Sequence, residues 1–139
     1  MRGVWAGVVA GVVSGVPSTV HALVTGRDVL AAVRAAGKVV LPREERDLPL
    51  ILVAVPVHLG ISVWWGTVLA RVLPRGGVVA GGIAGAVIAL LDLRLPGRRV
   101  AAVRALPVGP QVADHVVFGA VVGACLRGTG SQVALSRVR

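Results

Sequence analysis

Residues 3–24 hold almost nothing but small and branched apolar side chains, and three later stretches repeat that character: 50–72, 76–91 (extendable to 95) and 106–126. None alternates as a half-buried strand does, and none confines its apolar residues to one narrow stripe. Each approaches the ~20 residues that cross a bilayer. The pattern predicts an all-α fold: a polytopic membrane four-helix bundle, one domain over residues 1–127, with a polar, frayed C-terminal tail at 128–139.

Within these stretches the glycines are regularly spaced. Gly3, Gly7, Gly11 and Gly15 recur every fourth residue in the first, Gly77, Gly81 and Gly85 in the third, and Gly119 and Gly123 in the fourth. This spacing keeps small residues on one side of a helix and lets two backbones approach closely in lipid. It predicts packing helices rather than a glycine-lined pore.

Between the first two stretches the period changes. In TGRDVLAAVRAAGKVVLPREERDLP, Val29, Val33, Ala36 and Val40 share one helical face, while Arg27, Arg34 and Lys38 cluster opposite. Residues 28–41 therefore read as a short amphipathic helix lying in the membrane interface, opened by a capping box between Thr25 and Asp28. Pro42 to Pro49 would form a charged turn into the second span. The other connections, LPRGG and RLPGRRVAAVRALP, are short.

An internal repeat is also predicted. GVVAGVVSGV (7–16) matches GVVAGGIAGA (77–86) at six of ten positions. The second and fourth stretches align through His58 and His115, followed four residues on by Ser62 and Gly119 and eight residues on by Gly66 and Gly123. Each half is then a glycine helix followed by a histidine helix, a parallel 2+2 arrangement about an axis along the membrane normal.

Composition agrees. Hydrophobic residues make up 55% of the chain, aromatics 3% and charged residues 15%. The net charge of +9 raises nucleic acid as a partner, but fourteen of the fifteen cations are arginines scattered among connections and ends, with no aromatic platform between them. The expected partner is the lipid bilayer, with a second copy of the chain or another membrane protein, and not nucleic acid. The expected location is the plasma (inner) membrane. Nine basic residues lie in connections one and three and six elsewhere, which places those connections in the cytoplasm and both termini outside. An alternative for the first segment is a secretory signal cleaved after Ala22, against which its length and glycine spacing argue. The single cysteine, Cys125, excludes an intrachain disulfide.

Ionisable groups in a bilayer are costly and mark candidate sites. Here they are His21, His58, Asp92, Asp114 and His115. All fall at midplane or in the half facing connections one and three, where Ser14, Ser18 and His21 would form one polar flank. Each also has a structural reading. His21 would sit at the headgroups, Asp92 would pair with Arg94, Arg98 and Arg99, and His58 would satisfy backbone freed by Pro56. His58 and His115 are expected to face the interior at similar depth. No phosphate loop, nucleophile motif or metal-spaced histidine pair occurs, so no catalytic residue, cofactor or metal is assigned. Haem or quinone binding through His58 and His115 is a further alternative.

Two stretches, SGVPSTVHALVTGRDVLAAVRAAG and ADHVVFGAVVGACL, resemble an uncharacterised family of actinobacterial-type four-helix integral membrane proteins. The matching positions are Pro17, Ser18, Thr19, His21, His115, Gly119 and Gly123. The resemblance implies a four-helix membrane fold and no particular activity. The sequence thus leads to a non-enzymatic helix-packing or partner subunit. A small oligomeric transporter or channel using the His/Asp cluster is the alternative.

Overall fold

In a computed structural model, the described part of the chain is residues 1–94 and 99–136, with side chains through Gly128, and every regular element there is helical. The helices are α1 (Arg2–Val13), α2 (Val16–Val24), α3 (Ala31–Lys38), α4 (Asp47–Val72), α5 (Val78–Arg94), α6 (Ala101–Arg104) and α7 (Val108–Ser136). Three apolar runs are long enough to span a bilayer: Arg2–Val24, Asp47–Val72 and Val108–Gly128. The expectation of four spans is thus met by three. α5 has 17 residues, short of the usual crossing length, and Leu95, at the extendable end of that segment, lies outside the described residues.

The first segment is two helices rather than the unbroken one its pattern predicts. Pro17, in the first turn of α2, has no N–H to give and disfavours a helix running through from Val13. The break is shallow, because Ser14 and Gly15 keep near-helical angles (φ −63°, ψ −25° and φ −77°, ψ 0°). α2 ends in a Schellman turn: Arg27 N–H donates to Ala22 O at 2.8 Å and Gly26 N–H to Leu23 O at 3.4 Å, with Gly26 at φ 65°. TGRD is therefore the close of α2 and not the capping box of the next helix. Thr25 Oγ1 donates back to His21 O at 2.6 Å, and Asp28 Oδ1 accepts Leu30 N–H at 2.8 Å.

The amphipathic helix is shorter than the predicted 28–41, covering eight residues. Its orientation also differs. Ala35 and Gly37 are the buried positions, and Gly37 sits against the Leu50 backbone, where an added Cβ would lie 2.8 Å from Leu50 Cα. Val29 and Val40 face outward, 41% and 50% exposed, while Arg34 and Lys38 turn toward the body of the protein. α4 starts at Asp47 and takes Pro49 into its first turn, where a missing N–H costs nothing. α6, within the third connection, was not anticipated. α7 continues to Ser136, so most of the expected frayed tail is helix; residues 137–139 lie outside the described residues.

Two antiparallel pairs carry the packing. In α1/α4, a Cβ built on Gly3 would lie 2.7 Å from Thr67 Cα, one on Gly7 2.9 Å from Val63 Cα, and one on Gly11 2.7 Å from Ser62 Oγ. In α5/α7, Gly81 faces the Gly119 carbonyl and Gly85 faces the His115 carbonyl, and each would collide there with any side chain. Gly77, at φ 126°, donates its N–H to Gly123 O at 2.8 Å. Gly15 meets nothing within 4 Å and is no packing position. The contacts equate Gly7 with Gly81, whereas the sequence alignment pairs Gly7 with Gly77, one helical turn earlier.

Across the pairs, Ala6, Ala10, Leu69, Ile88, Phe118, Val122 and Leu126 form one buried cluster. Outside it the usual distribution is inverted. Ser14 and Ser62 are buried at 4% exposure each, while Val12, Val79, Ile83 and Leu52 are 72%, 77%, 64% and 64% exposed. No more than 28% of any of the three spans is buried within the molecule, as expected where hydrocarbon is the solvent.

Replacing Gly81 by alanine should therefore lower the thermal stability of the detergent-solubilised protein by about 1–3 kcal/mol, through overpacking against backbone that has nowhere to move. Gly60→Ala meets nothing within 4 Å and should be neutral or gain up to about 1 kcal/mol from helix propensity. Equal effects of the two would show that close backbone approach does not hold α5 to α7.

Candidate functional site

The first polar constellation lies where α2 meets α7. The break before α2 leaves its opening N–H groups without helical partners, and Asp114 of α7 reaches across to accept the Ser18 N–H at 2.9 Å. A carboxylate at a helix N-terminus also meets the positive end of the helix dipole. Asp114 is thus a cap supplied by another helix.

One residue on, His115 spans two acceptors. Its Nδ1 lies 2.7 Å from Gln111 O and its Nε2 lies 3.4 Å from Asp92 Oδ2. A carbonyl oxygen only accepts, so Nδ1 carries a proton. The Nε2–Asp92 contact then needs one more proton, held by the ring or by the carboxyl. His115 and Asp92 form a proton-holding pair that ties α7 to α5. Of the expected partners of Asp92, Arg94 and Arg99 make no ion pair with it among the described residues, and Arg98 lies outside them.

His58 does not serve the backbone beside Pro56. Its Nε2 lies 2.9 Å from Gly11 O on α1, so Nε2–H donates to a carbonyl in the last turn before the break. Ser14 Oγ donates to the same carbonyl at 3.3 Å. The rest of the imidazole is exposed, so the expectation of a ring turned fully inward holds for His115 better than for His58.

His21 stands apart from these groups and lines a cavity of about 610 Å³ at the end of the molecule formed by connections one and three. Its walls come from the end of α2, from α3, from the starts of α4 and α7, and from α6. Ser18 lines it too, but Ser14 does not, so only part of the expected polar flank assembles. Arg34 pairs with Asp28 and, at 2.9 Å, with Asp47, while Lys38 pairs with Glu45 at 2.8 Å. These bridges turn the charged face of α3 inward. Sequence reasoning noted the segregation of α3's cations but not the acids that face them, because Glu45 and Asp47 lie across a turn whose direction no periodicity records.

At the outer loop Glu44 is held down at about 2, first by the Arg46 side-chain hydrogen bond and then by the Arg46 backbone N–H, and the Arg46 guanidinium is raised in return. Among the described residues no three His, Cys, Asp or Glu side chains converge as metal ligands. Comparisons with family models, curated proteins and solved structures give no match for this chain.

Two outcomes follow from these contacts. Asp114→Ala should leave the Ser18 N–H unpaired, costing about 1–3 kcal/mol and speeding hydrogen exchange at that amide, whereas Asp114→Asn retains an acceptor oxygen and should change exchange much less. Identical exchange in the two variants would exclude the cap. For Glu44, a depressed carboxyl stabilises its loop above the ordinary value of 4.5 and loses that contribution as pH falls toward about 2. Carboxyl NMR should find its midpoint near the lower value, rising only part of the way toward the ordinary one in Arg46→Ala, which removes the guanidinium but keeps the backbone N–H.

Proposed function

We propose that this chain is a small multi-pass integral membrane protein of the plasma (inner) membrane, with all four long helices crossing and its activity exercised through helix association rather than catalysis. The observation behind the reading is the packing of α5 along α7. The two run antiparallel with backbones in contact from Gly77 beside Gly123 to Gly85 beside His115, so a bilayer crossed by α7 is traversed by α5 over the same depth. The resemblance to four-helix membrane proteins points the same way. In this reading the helix pairs α1/α4 and α5/α7 are repeats in the register that equates Gly7 with Gly81, and α3 lies at the interface with its valines toward lipid. Its partner is a second copy or another membrane protein, met through the outward apolar faces of α4 and α5.

A second reading, a small oligomeric transporter or channel, draws on a different observation. The cavity reaches Ser18 and Gln111, and each is one bond from an intramembrane ionisable group: Ser18 N–H on Asp114, and Gln111 O on His115. An open, charge-lined cavity thus stands next to a proton-holding pair. Haem ligation draws no comparable support, since His58 Nε2 and both His115 nitrogens already have partners.

The crossing number is testable with single cysteines at Glu45 and Ser136 in a Cys125→Ala background. Four crossings put the two on opposite sides of the membrane, so an impermeant maleimide applied outside intact cells should label Ser136→Cys and spare Glu45→Cys. If only α1–α2, α4 and α7 cross, both positions share a side and react alike. That result would overturn the four-crossing reading. Resistance of the chain to alkaline carbonate extraction checks membrane integration separately.

A further inference from the structure

We propose that the cavity between α2, α3, α6 and α7 is a binding site for an anionic glycerophospholipid, with the headgroup phosphate on Arg27 and His21. The proposal rests on the membrane reading above.

The argument follows the fate of each charge in the lining. All three carboxylates are engaged: Asp28 and Asp47 by Arg34, and Glu45 by Lys38. Among the described residues the Arg27 guanidinium and the His21 imidazole have no hydrogen-bond or ion-pair partner, and both line the cavity. The groups left to meet a ligand are therefore the two basic ones. A guanidinium presents paired donors that match phosphate oxygens. The third connection adds Arg99 and Arg104 at the same end with no acid beside them, which favours an anionic over a zwitterionic headgroup.

Three features favour a lipid over a soluble anion. The cavity lies where the apolar runs of α2, α4 and α7 give way to charge, which is headgroup depth in the membrane reading. Its lining includes the apolar residues Ala22, Ala35, Leu50, Ala102 and Leu106. At its rim Val29 is 41% exposed, and beyond it Leu23 and Val24 are 65% and 76% exposed. A headgroup seated on Arg27 thus has exposed apolar side chains nearby on which its acyl chain can lie. The volume of about 610 Å³ lies within the range of small-ligand pockets.

The full chain, delipidated in a neutral detergent, is titrated by calorimetry with dioctanoyl phosphatidylglycerol, dioctanoyl phosphatidylcholine and inorganic phosphate. Phosphatidylglycerol should bind on the order of tenfold more tightly than phosphatidylcholine, and inorganic phosphate should give no saturable heat. The pair Arg27→Ala and His21→Ala should abolish the preference while leaving helicity and the lipid-free unfolding midpoint unchanged. Arg2→Ala with Arg75→Ala, at the opposite end, should keep it. Equal affinity for the two lipids, or equal loss in both double variants, overturns the site. Inorganic phosphate competing at the affinity of phosphatidylglycerol assigns it to a soluble anion and overturns the lipid. The membrane reading itself stands or falls on carbonate extraction and cysteine labelling, which this titration does not touch.

Discussion

Everything else in the molecule depends on backbone meeting backbone. In hydrocarbon, burying one apolar side chain against another gains little, because lipid tails solvate it as well as a neighbouring helix does. Attraction must come from atoms brought closer than lipid can follow. Gly81 against Gly119 and Gly7 against Ser62 supply that approach. Because each contact places one helix's carbonyl beside another helix's α-carbon, it fixes axial register as well as distance. The register then decides which polar groups meet. With Gly85 seated on the His115 carbonyl, Asp92 two turns further along α5 arrives at the imidazole of the same residue. The glycines thereby create the Asp92–His115 pair.

The same constraint explains the broken first segment. Once α1 is pressed onto α4, an interruption at Gly15–Pro17 frees carbonyls and N–H groups, and each one left buried and unpaired would cost several kcal/mol. Two side chains meet this demand from opposite sides. His58 donates to Gly11 O below the break, and Asp114 accepts from Ser18 N–H above it. Both fall among the ionisable residues that stood out in the sequence, yet their immediate partners are backbone atoms. His58 Nε2 and Asp114 Oδ1 thus find partners within the chain itself. The Asp92–His115 pair is instead a contact between two ionisable side chains on different helices.

Helix existence, apolar spans and glycine faces were legible because each depends on a local period that lipid does not blur. Some departures are local, as at Pro17 and Gly26, and the others lie where two segments are related. Aligning Gly7 with Gly77 is one turn off, since identical four-residue spacing offers several registers and only the facing helix selects one. The capping box at Thr25–Asp28 failed because Gly26 satisfies a stronger local rule, the left-handed close of α2. The α3 helix was read as cations toward water, but Asp28, Glu45 and Asp47 draw them inward. Within the site, the titratable residues could be found from their cost in a bilayer. Their partners could not, being backbone carbonyls, an amide N–H and an aspartate on another helix.

The cavity and the proton-holding pair divide the polar half of the molecule into two regions of different character. In the cavity most charges are matched by salt bridges at solvent-accessible depth, where each pair contributes about 1 kcal/mol or less; such a surface can exchange partners cheaply. Below it, Asp114 and His115 are held by bonds whose loss would strand buried groups. A ligand arriving from the bilayer surface therefore meets a shell that can rearrange before it meets one that resists. Between them stand Ser18, whose hydroxyl donates to Gly15 O in the break before α2, and Gln111, whose side-chain amide donates to Leu106 O and Pro107 O just ahead of α7. These two residues give the cavity a hydrogen-bonded route to the interior, because the same residues that line it bond to Asp114 and His115.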